Sequence, residues 1–360
     1  MKNTLYAINA NYQFDLNLIV TGMHLLNEYG NSIKEIKDSN LNILGTVKVS
    51  LSGSCRTEMS RAIGEQIIGF TKLLQKENPD IILLLGDRGE MLAGAIAAIH
   101  LNIPIAHIHG GELSGTIDEP VRHAISKLSH FHFVSTESSQ NRLIKMGENP
   151  DNIFVTGAPG LDEVSNLNLI KREVILSRVG LLINKPFILL LFHPENDIRQ
   201  SINKQIITIL DSIINKGFQV LAIMPNSDSG SSVIVSVLKQ YESNQKIKVF
   251  KNFNRTEFLS LVYEANVFVG NSSSGIIESA SLGTPFLNLG KRQKHRERNA
   301  NVIDSPINSS MISDGLDKAL DMKDNEFHNI YGDGQSSIKI VNLLKSISLE
   351  SAILEKINAY

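Results

Sequence analysis

The chain contains no tryptophan and one cysteine, Cys55, in 360 residues. A lone cysteine excludes a disulfide framework and any cysteine-rich zinc or iron–sulfur site within one chain. Positive charge is not in excess either. The 35 Lys and Arg stand against 37 Asp and Glu, a net charge of −2, which leaves no basic footprint for nucleic acid or an anionic membrane. No apolar run reaches the roughly 18 to 20 residues that a membrane span requires. The longest, Ile81 to Gly86 and Phe187 to Phe192, have strand length. The start, Met1 to Asn11, lacks the basic and apolar stretches of a secretory signal. Neither a G-x-G-x-x-G fingerprint nor a Walker A loop occurs anywhere. These absences predict a cytoplasmic protein with no nucleic-acid partner, no membrane anchor and no P-loop.

What is present is enough apolar sequence, 42% of the chain, for two domains with full cores. Short apolar segments at Leu16 to Val20, Asn42 to Val47, Ile81 to Leu85, Ile105 to Ile108, Phe131 to Val134 and Ile153 to Val155 alternate with amphipathic stretches. Arg56 to Glu77 and Gly89 to Leu101 are the clearest helices. The alternation restarts at Phe187 to Phe192 and continues through Phe218 to Ile223, Ile247 to Phe250, Val267 to Val269 and Phe286 to Leu289.

Strands alternating with helices build parallel sheets from βαβ units. The expected fold is therefore α/β, with two doubly wound domains facing a cleft at the carboxyl ends of their strands. A polar helical region from Leu161 to Ile183 separates the two series, and the boundary falls near Pro159 to Asp162. The domains are residues 1–160 and 161–335, followed by a helix from Ser336 that runs to Lys356 and could return to the first domain. The chain opens as a helix rather than a strand, with Leu5, Ile8 and Tyr12 at three- and four-residue spacing.

Four features carry chemistry. Asp87 and Arg88 follow a buried strand, where they could serve a sugar phosphate or simply cap the next helix. The run from His107 to His123 holds three histidines, three carboxylates and an arginine in 17 positions. Such density suits acid–base chemistry. Asp118 and Arg122, four apart, can pair on one helix face, and Pro120 fits a first helical turn. No zinc-like spacing is present, so no metal is expected.

The third feature, Asn271-Ser-Ser-Ser-Gly275 between a strand and a helix bearing Glu278, is either a diphosphate cradle or a plain helix cap. The fourth is a polar rim of His193, Asn226 and Arg292 at the strand ends of the second series.

Together these stretches resemble the hydrolysing UDP-N-acetylglucosamine 2-epimerase family. The matching segments are IVTGMHL at 19 to 25, GDRGEMLAGAIAA at 86 to 98, HIHGGELSGTIDEPVRHAISKLSHFHFVST at 107 to 136, GAPGLDE at 157 to 163, LFHPE at 191 to 195, MPNSD at 224 to 228, NSSSG at 271 to 275 and LGKRQ at 289 to 293. The resemblance implies two Rossmann-like domains in the GT-B arrangement. It implies a UDP-linked 2-acetamido sugar as substrate: a base removes the C2 proton as UDP leaves C1, and water adds to the resulting glycal. No cofactor is implied, and the oligomer is expected to be a homodimer or homotetramer.

Carried across by motif, Asp87 and Asp118 match catalytic carboxylates, while Arg88, His193, Asn226, Ser272, Ser273, Glu278 and Arg292 match positions that hold UDP. His24 and Arg122 would sit nearer the sugar.

Two departures bear on this expectation. Many members carry a glutamate where this chain has His109, and Glu112 follows three residues later. Either His109 or Glu112 can supply the acid–base function, because an imidazole titrates near working pH. The substitution can also signal a different sugar, so that UDP-N-acetylglucosamine is the expected substrate and UDP-N,N'-diacetylbacillosamine, of legionaminic rather than N-acetylneuraminic acid synthesis, is the alternative. Second, nothing corresponds to the first strand and its G-T-R loop, a shortfall of roughly 20 residues on the usual strand-plus-loop scale. That motivates a third reading, a truncated, non-catalytic UDP-sugar binder. A GT-B glycosyltransferase would share the nucleotide site but has no need of the acid-rich loop from His107 to His123.

Overall fold

A computed structural model describes residues 1–25, 33–50, 56–114, 118–165, 168–195, 200–226, 230–243, 245, 247–323 and 325–360. Cys55, Gly115 and Asp228 lie outside the described residues. The chain divides into two compact units, Met1–Asp162 with Tyr331–Tyr360, and Glu163–Ile330.

The first unit opens with helix α1 (Lys2–Asn9), which buries Thr4 and Ile8 on one face. Strands β1 (Asn17–Thr21) and β2 (Asn42–Val47) form a parallel pair, with α2 (Ile33–Asp38) between them in the chain. Helix α3 (Arg56–Glu77) leads to β3 (Ile82–Leu85), α4 (Gly89–His100), β4 (Ile105–Ile108), α5 (Asp118–Leu128), β5 (Phe131–Val134), α6 (Glu137–Lys145) and β6 (Ile153–Val155). Strands β3 to β6 form a four-stranded parallel sheet in sequence order. Its two central strands, IAHI and FHFV, are buried throughout, as expected where helices cover both faces. Among the described residues the β1–β2 pair is not hydrogen-bonded to that sheet. Both share one apolar layer, in which Ile19, Val47 and Leu84 pack with Phe70 and Leu74 of α3.

The second unit begins within α7 (Asp162–Ser165) and continues through α8 (Arg172–Arg178), β7 (Phe187–Leu191), α9 (Ile202–Asn215), β8 (Gln219–Ile223), α10 (Ser231–Ser243) and β9 (Lys248–Phe250). Then come α11 (Arg255–Glu264), β10 (Val267–Gly270), α12 (Ser273–Ile277), β11 (Phe286–Leu289), β12 (Val302–Ser305) and α13 (Ser309–Asp321). The six strands are parallel in the order β12-β11-β10-β7-β8-β9. The chain therefore winds outward one way from β7 and the other way from β10, and loops at such a switch point diverge to leave a binding crevice. Ile188, Leu190, Val267 and Leu287 form the core on one face with Ile206, Ile209 and Leu316 from α9 and α13.

The chain returns to the first unit with α14 (Ser336–Ser346). Thr4 of α1 and Ser337 of α14, 333 residues apart, are hydrogen-bonded at 3.0 Å.

Three sequence expectations change. The helical region from Leu161 to Ile183 is two short helices, α7 and α8. The final helix ends at Ser346, and a separate 3-10 turn covers Ser351–Leu354. Strand β12, whose sequence VIDS carries a charge, was not anticipated; it is an edge strand, where one polar face is tolerated. No helix of the described residues is long and apolar enough to cross a membrane.

Candidate active site

In the first unit, the site grows from the carboxyl ends of β3 and β4. Gly86 leaves β3 at φ 82°, and the next residue, Asp87, is turned off the strand. Asp87 does not cap α4. The N-cap is Arg88, which makes no side-chain capping bond, and the Asp87 carboxylate instead accepts from the guanidinium of Arg122 on α5. Arg122 is 2% exposed and also donates to the Glu112 carbonyl at 3.0 Å. Its partner Asp87 lies 35 residues away in the chain, beyond the four-residue spacing that singled out Asp118 and Arg122. Asp118 is the first residue of α5 and half-buried.

His109 is not on the strand. It lies one residue past β4 with φ 63°, so its ring turns back beside Glu112 rather than following the strand alternation. Its Nδ1 lies 2.5 Å from Glu112 Oε1, which also accepts from Ser135 Oγ at 2.5 Å. Glu112 is buried. Opposite an ionised carboxylate, which can only accept, a neutral imidazole carries its proton on Nδ1 and leaves Nε2 bare. Gly111, at φ 72°, permits the turn, since a Cβ there would lie 2.4 Å from the Ser139 carbonyl.

Other sequence-selected residues stand at the same sheet end. His24 is exposed on a 3-10 turn after β1, and that turn abuts α4, because a Cβ on Gly22 would be 2.8 Å from Glu90 Oε1. Arg88 is exposed, 3.4 Å from Glu90.

In the second unit the selected residues converge at the switch point. Gly270, Leu191, Ile223 and Asn288 align across β10, β7, β8 and β11, so the loops that follow leave from one edge. Asn271 ties them together. Its Oδ1 accepts from His193 N at 2.7 Å, its Nδ2 donates to His193 O at 3.0 Å, and its carbonyl accepts from Arg292 and Gln293, each at 3.1 Å. His193 Nδ1 is 3.0 Å from Asn226 Oδ1.

Ser272 is the N-cap of α12, with Oγ facing Ser274. The helix starts at Ser273, two residues before Gly275, which lies against Phe286 so closely that a Cβ would be 2.2 Å from the ring. Glu278 is gripped by both arms of Arg255 at 2.8 and 2.9 Å.

Several contributors were missed by sequence reasoning: Glu195, Arg255 and Ser135. Glu195 was visible only as the end of LFHPE, yet its carboxylate accepts from the backbone N–H of Lys291 at 2.8 Å and of Arg292 at 3.2 Å. Arg255 carries no motif signal, since its partner is 23 residues away.

The interior of the first unit holds neutral histidines. Burial pushes His107 down to about 3 and His130 to about 4, and it lowers His132 and His123 as well. Burial opposes the charge of Glu148, but hydrogen bonds from His132, Lys127 and Lys356 hold its carboxyl at about 2. Among the described residues no group of three or more His, Cys, Asp or Glu is arranged to hold a metal ion.

A family model described as UDP-N-acetylglucosamine 2-epimerase matches residues 6–345. The chain is 45% identical to UDP-N,N'-diacetylbacillosamine 2-epimerase (hydrolyzing) of Legionella pneumophila, covering 100% of this chain and 96% of that protein. It is 31% identical to UDP-N-acetylglucosamine 2-epimerase of Neisseria meningitidis, over 93% of this chain and 88% of that one. A solved structure from Methanocaldococcus jannaschii, UDP-GlcNAc 2-epimerase in complex with UDP-GlcNAc and UDP, is similar in fold, with a TM-score of 0.79 at 22% identity over 96% of this chain and 95% of that one. With its Asp87–Arg122 and His109–Glu112 pairs in one unit and a polar switch-point rim in the other, the chain belongs to the UDP-N-acetylglucosamine 2-epimerase family.

Proposed function

We propose that this chain hydrolyses a UDP-linked 2-acetamido sugar with inversion at C2, and that its substrate is UDP-N,N'-diacetylbacillosamine. The observation that carries the reaction type is the His109–Glu112 pair beside the Asp87–Arg122 pair. Elimination needs a base for the C2 proton and an acid for the later hydration, and these groups supply exchangeable and fixed charge in one place. His109 Nε2 exchanges the proton, Glu112 orients the ring, and Asp87 and Asp118 are the carboxylates of the C2 chemistry. The C1–O bond breaks with its electron pair going to UDP, the C1=C2 glycal forms, and water then adds its oxygen to C1 and a proton to C2 on the opposite face.

In the second unit Ser272, Ser273 and Arg292 receive the diphosphate, whose negative charge grows as it leaves. Glu278, held by Arg255, accepts from the ribose hydroxyls. His193 and Asn226 complete the nucleotide site of this unit, and Arg88 and His24 are substrate-binding residues of the first.

For the sugar, the 45% full-length relative favours the diacetamido substrate over N-acetylglucosamine, which the more distant relative at 31% carries in its name. The preference drawn from sequence therefore moves to its alternative. A cytoplasmic location and a homodimeric or homotetrameric state belong to the same proposal.

The test is incubation of the purified chain with each UDP-sugar in deuterated water, followed by NMR. The expected result is UDP plus the free 2,4-diacetamido-2,4,6-trideoxymannose carrying deuterium at C2, with slower turnover of UDP-N-acetylglucosamine. Faster turnover of UDP-N-acetylglucosamine would overturn the sugar assignment, and UDP-sugar binding without turnover would overturn the enzyme.

A further inference from the structure

His107 has no role in the scheme above, although it is fully buried at the centre of the first unit. It projects from β4, and its two ring nitrogens are both engaged. Nε2 is 2.7 Å from the carbonyl oxygen of Gly86, and Nδ1 is 3.1 Å from Ser126 Oγ on α5. A carbonyl only accepts, so Nε2 must carry the proton; Nδ1 is then an acceptor, and the Ser126 hydroxyl donates to it.

Gly86 is the residue before Asp87. Its N–H donates to the Ile108 carbonyl at 2.9 Å, and its own carbonyl is taken by His107. Both backbone polar groups of this residue are thus tied to β4 or its side chain. At φ 82° a glycine has wide freedom, and these two bonds remove it. Asp87 hangs from a peptide whose orientation is set by His107.

The same face of α5 holds the other end. Arg122 and Ser126 are four residues apart and so lie on one side of the helix. Arg122 grips the Asp87 carboxylate, and Ser126 grips the histidine that grips the peptide preceding it. The HGGE loop leaves room for this bond, since a Cβ on Gly110 would lie 2.9 Å from Ser126 Oγ and 3.0 Å from His107 Nδ1.

We infer that His107 is a positioning residue for the 2-epimerase reaction, acting through the Gly86 carbonyl and locked in the Nε2–H form by Ser126, so that Asp87 is held against Arg122 in one geometry. This rests on the function proposed above, in which Asp87 serves the C2 chemistry. The charged and titratable groups acting on the ring are His109, His132 and Glu112, and its burial keeps it neutral.

The inference is tested with three variants and one spectroscopic measurement on the full chain. His107→Ala is expected to lower kcat by about 100-fold, the scale of a small misplacement of a reacting group. UDP affinity, read by calorimetry, should stay within about two-fold because the residues proposed for the diphosphate and ribose belong to the second unit. His107→Gln keeps an N–H donor for Gly86 and is expected to recover about 10-fold of that loss.

Ring 15N shifts of the wild-type protein, assigned by difference with His107→Gln, should show Nε2 protonated and Nδ1 bare from about pH 5 to about pH 8. Ser126→Ala should weaken that tautomer preference. A wild-type ring protonated at Nδ1 would overturn the inference, as would full kcat in His107→Ala or a folded His107→Gln no faster than His107→Ala. If the wild-type chain turns over neither UDP-sugar, the proposed function fails, and the tautomer still decides the assignment of His107.

Discussion

His109 Nδ1 lies 2.5 Å from Glu112 Oε1, across a turn in which His109 itself adopts φ 63°. The turn places a buried carboxylate behind an imidazole that is 17% exposed on its side chain. Under the proposed function the two residues act as one unit: the carboxylate selects the tautomer, and the imidazole meets the substrate. The sequence reading treated them as competitors for one role.

Glu112→Gln should therefore lower kcat by about 100-fold or more while leaving KM close to wild type, because orientation and tautomer are lost without a contact to the substrate. Steady-state kinetics on the UDP-sugar measure this. A KM effect with unchanged kcat would place Glu112 on the substrate instead.

The Arg122 side chain is 3% exposed and its Asp87 partner 23%. Arg122→Met leaves that carboxylate without its cation, and breaking such a pair from one side costs about 3 kcal/mol. Urea unfolding should show the loss, together with loss of turnover. Unchanged stability would mean that the pair contributes nothing to the fold.

Arg255 holds the Glu278 carboxylate with two parallel hydrogen bonds. Lysine cannot reproduce that fork. Arg255→Lys is expected to weaken UDP binding by about 10-fold, equivalent to about 1.4 kcal/mol, with little change in melting temperature. Calorimetric titration with UDP reads it, and unaltered affinity would detach Glu278 from the nucleotide.

Gly111→Ala puts a Cβ into the Ser139 carbonyl, 2.4 Å away, at a φ of 72° that side chains rarely adopt. The variant should lose at least about 1 kcal/mol of stability and most of its activity, since the same turn presents His109 and Glu112. A melting curve and an assay on one preparation test both parts.

Acid stability follows from the buried groups. His107 and His130 have folded values of about 3 and about 4, below the ordinary 6.5. The unfolded chain therefore binds their protons first, and stability falls as pH drops below 6.5 toward those values. For His107 the slope is about 1.4 kcal/mol per pH unit. Glu148, folded at about 2 against 4.5, adds its loss from pH 4.5 downward. Urea midpoints should be level from about pH 8 to pH 7 and decline below pH 6.5. A level profile down to pH 4.5 would contradict the burial of these histidines.

Much of the fold was legible. Strands such as FHFV and FILLL are apolar throughout because helices cover both of their faces, and a run of four or five such residues between turn signals has few other destinations. Helix α3 was read end to end from its periodicity. The break between α7 and α8 was not, because a polar stretch carries little periodic signal.

The sequence by itself determined the alternation of strands and helices, the chemistry-rich loops at strand ends and the family, since each of these rests on neighbours within a few positions. Which groups meet was decided only by the tertiary structure. Arg122 reaches Asp87, 35 residues away; Arg255 found Glu278, and Lys356 reached Glu148 from the far end of the chain. Parallel strands bring distant loops to one sheet edge, and there a buried charge goes to whichever opposite charge the packing places within reach.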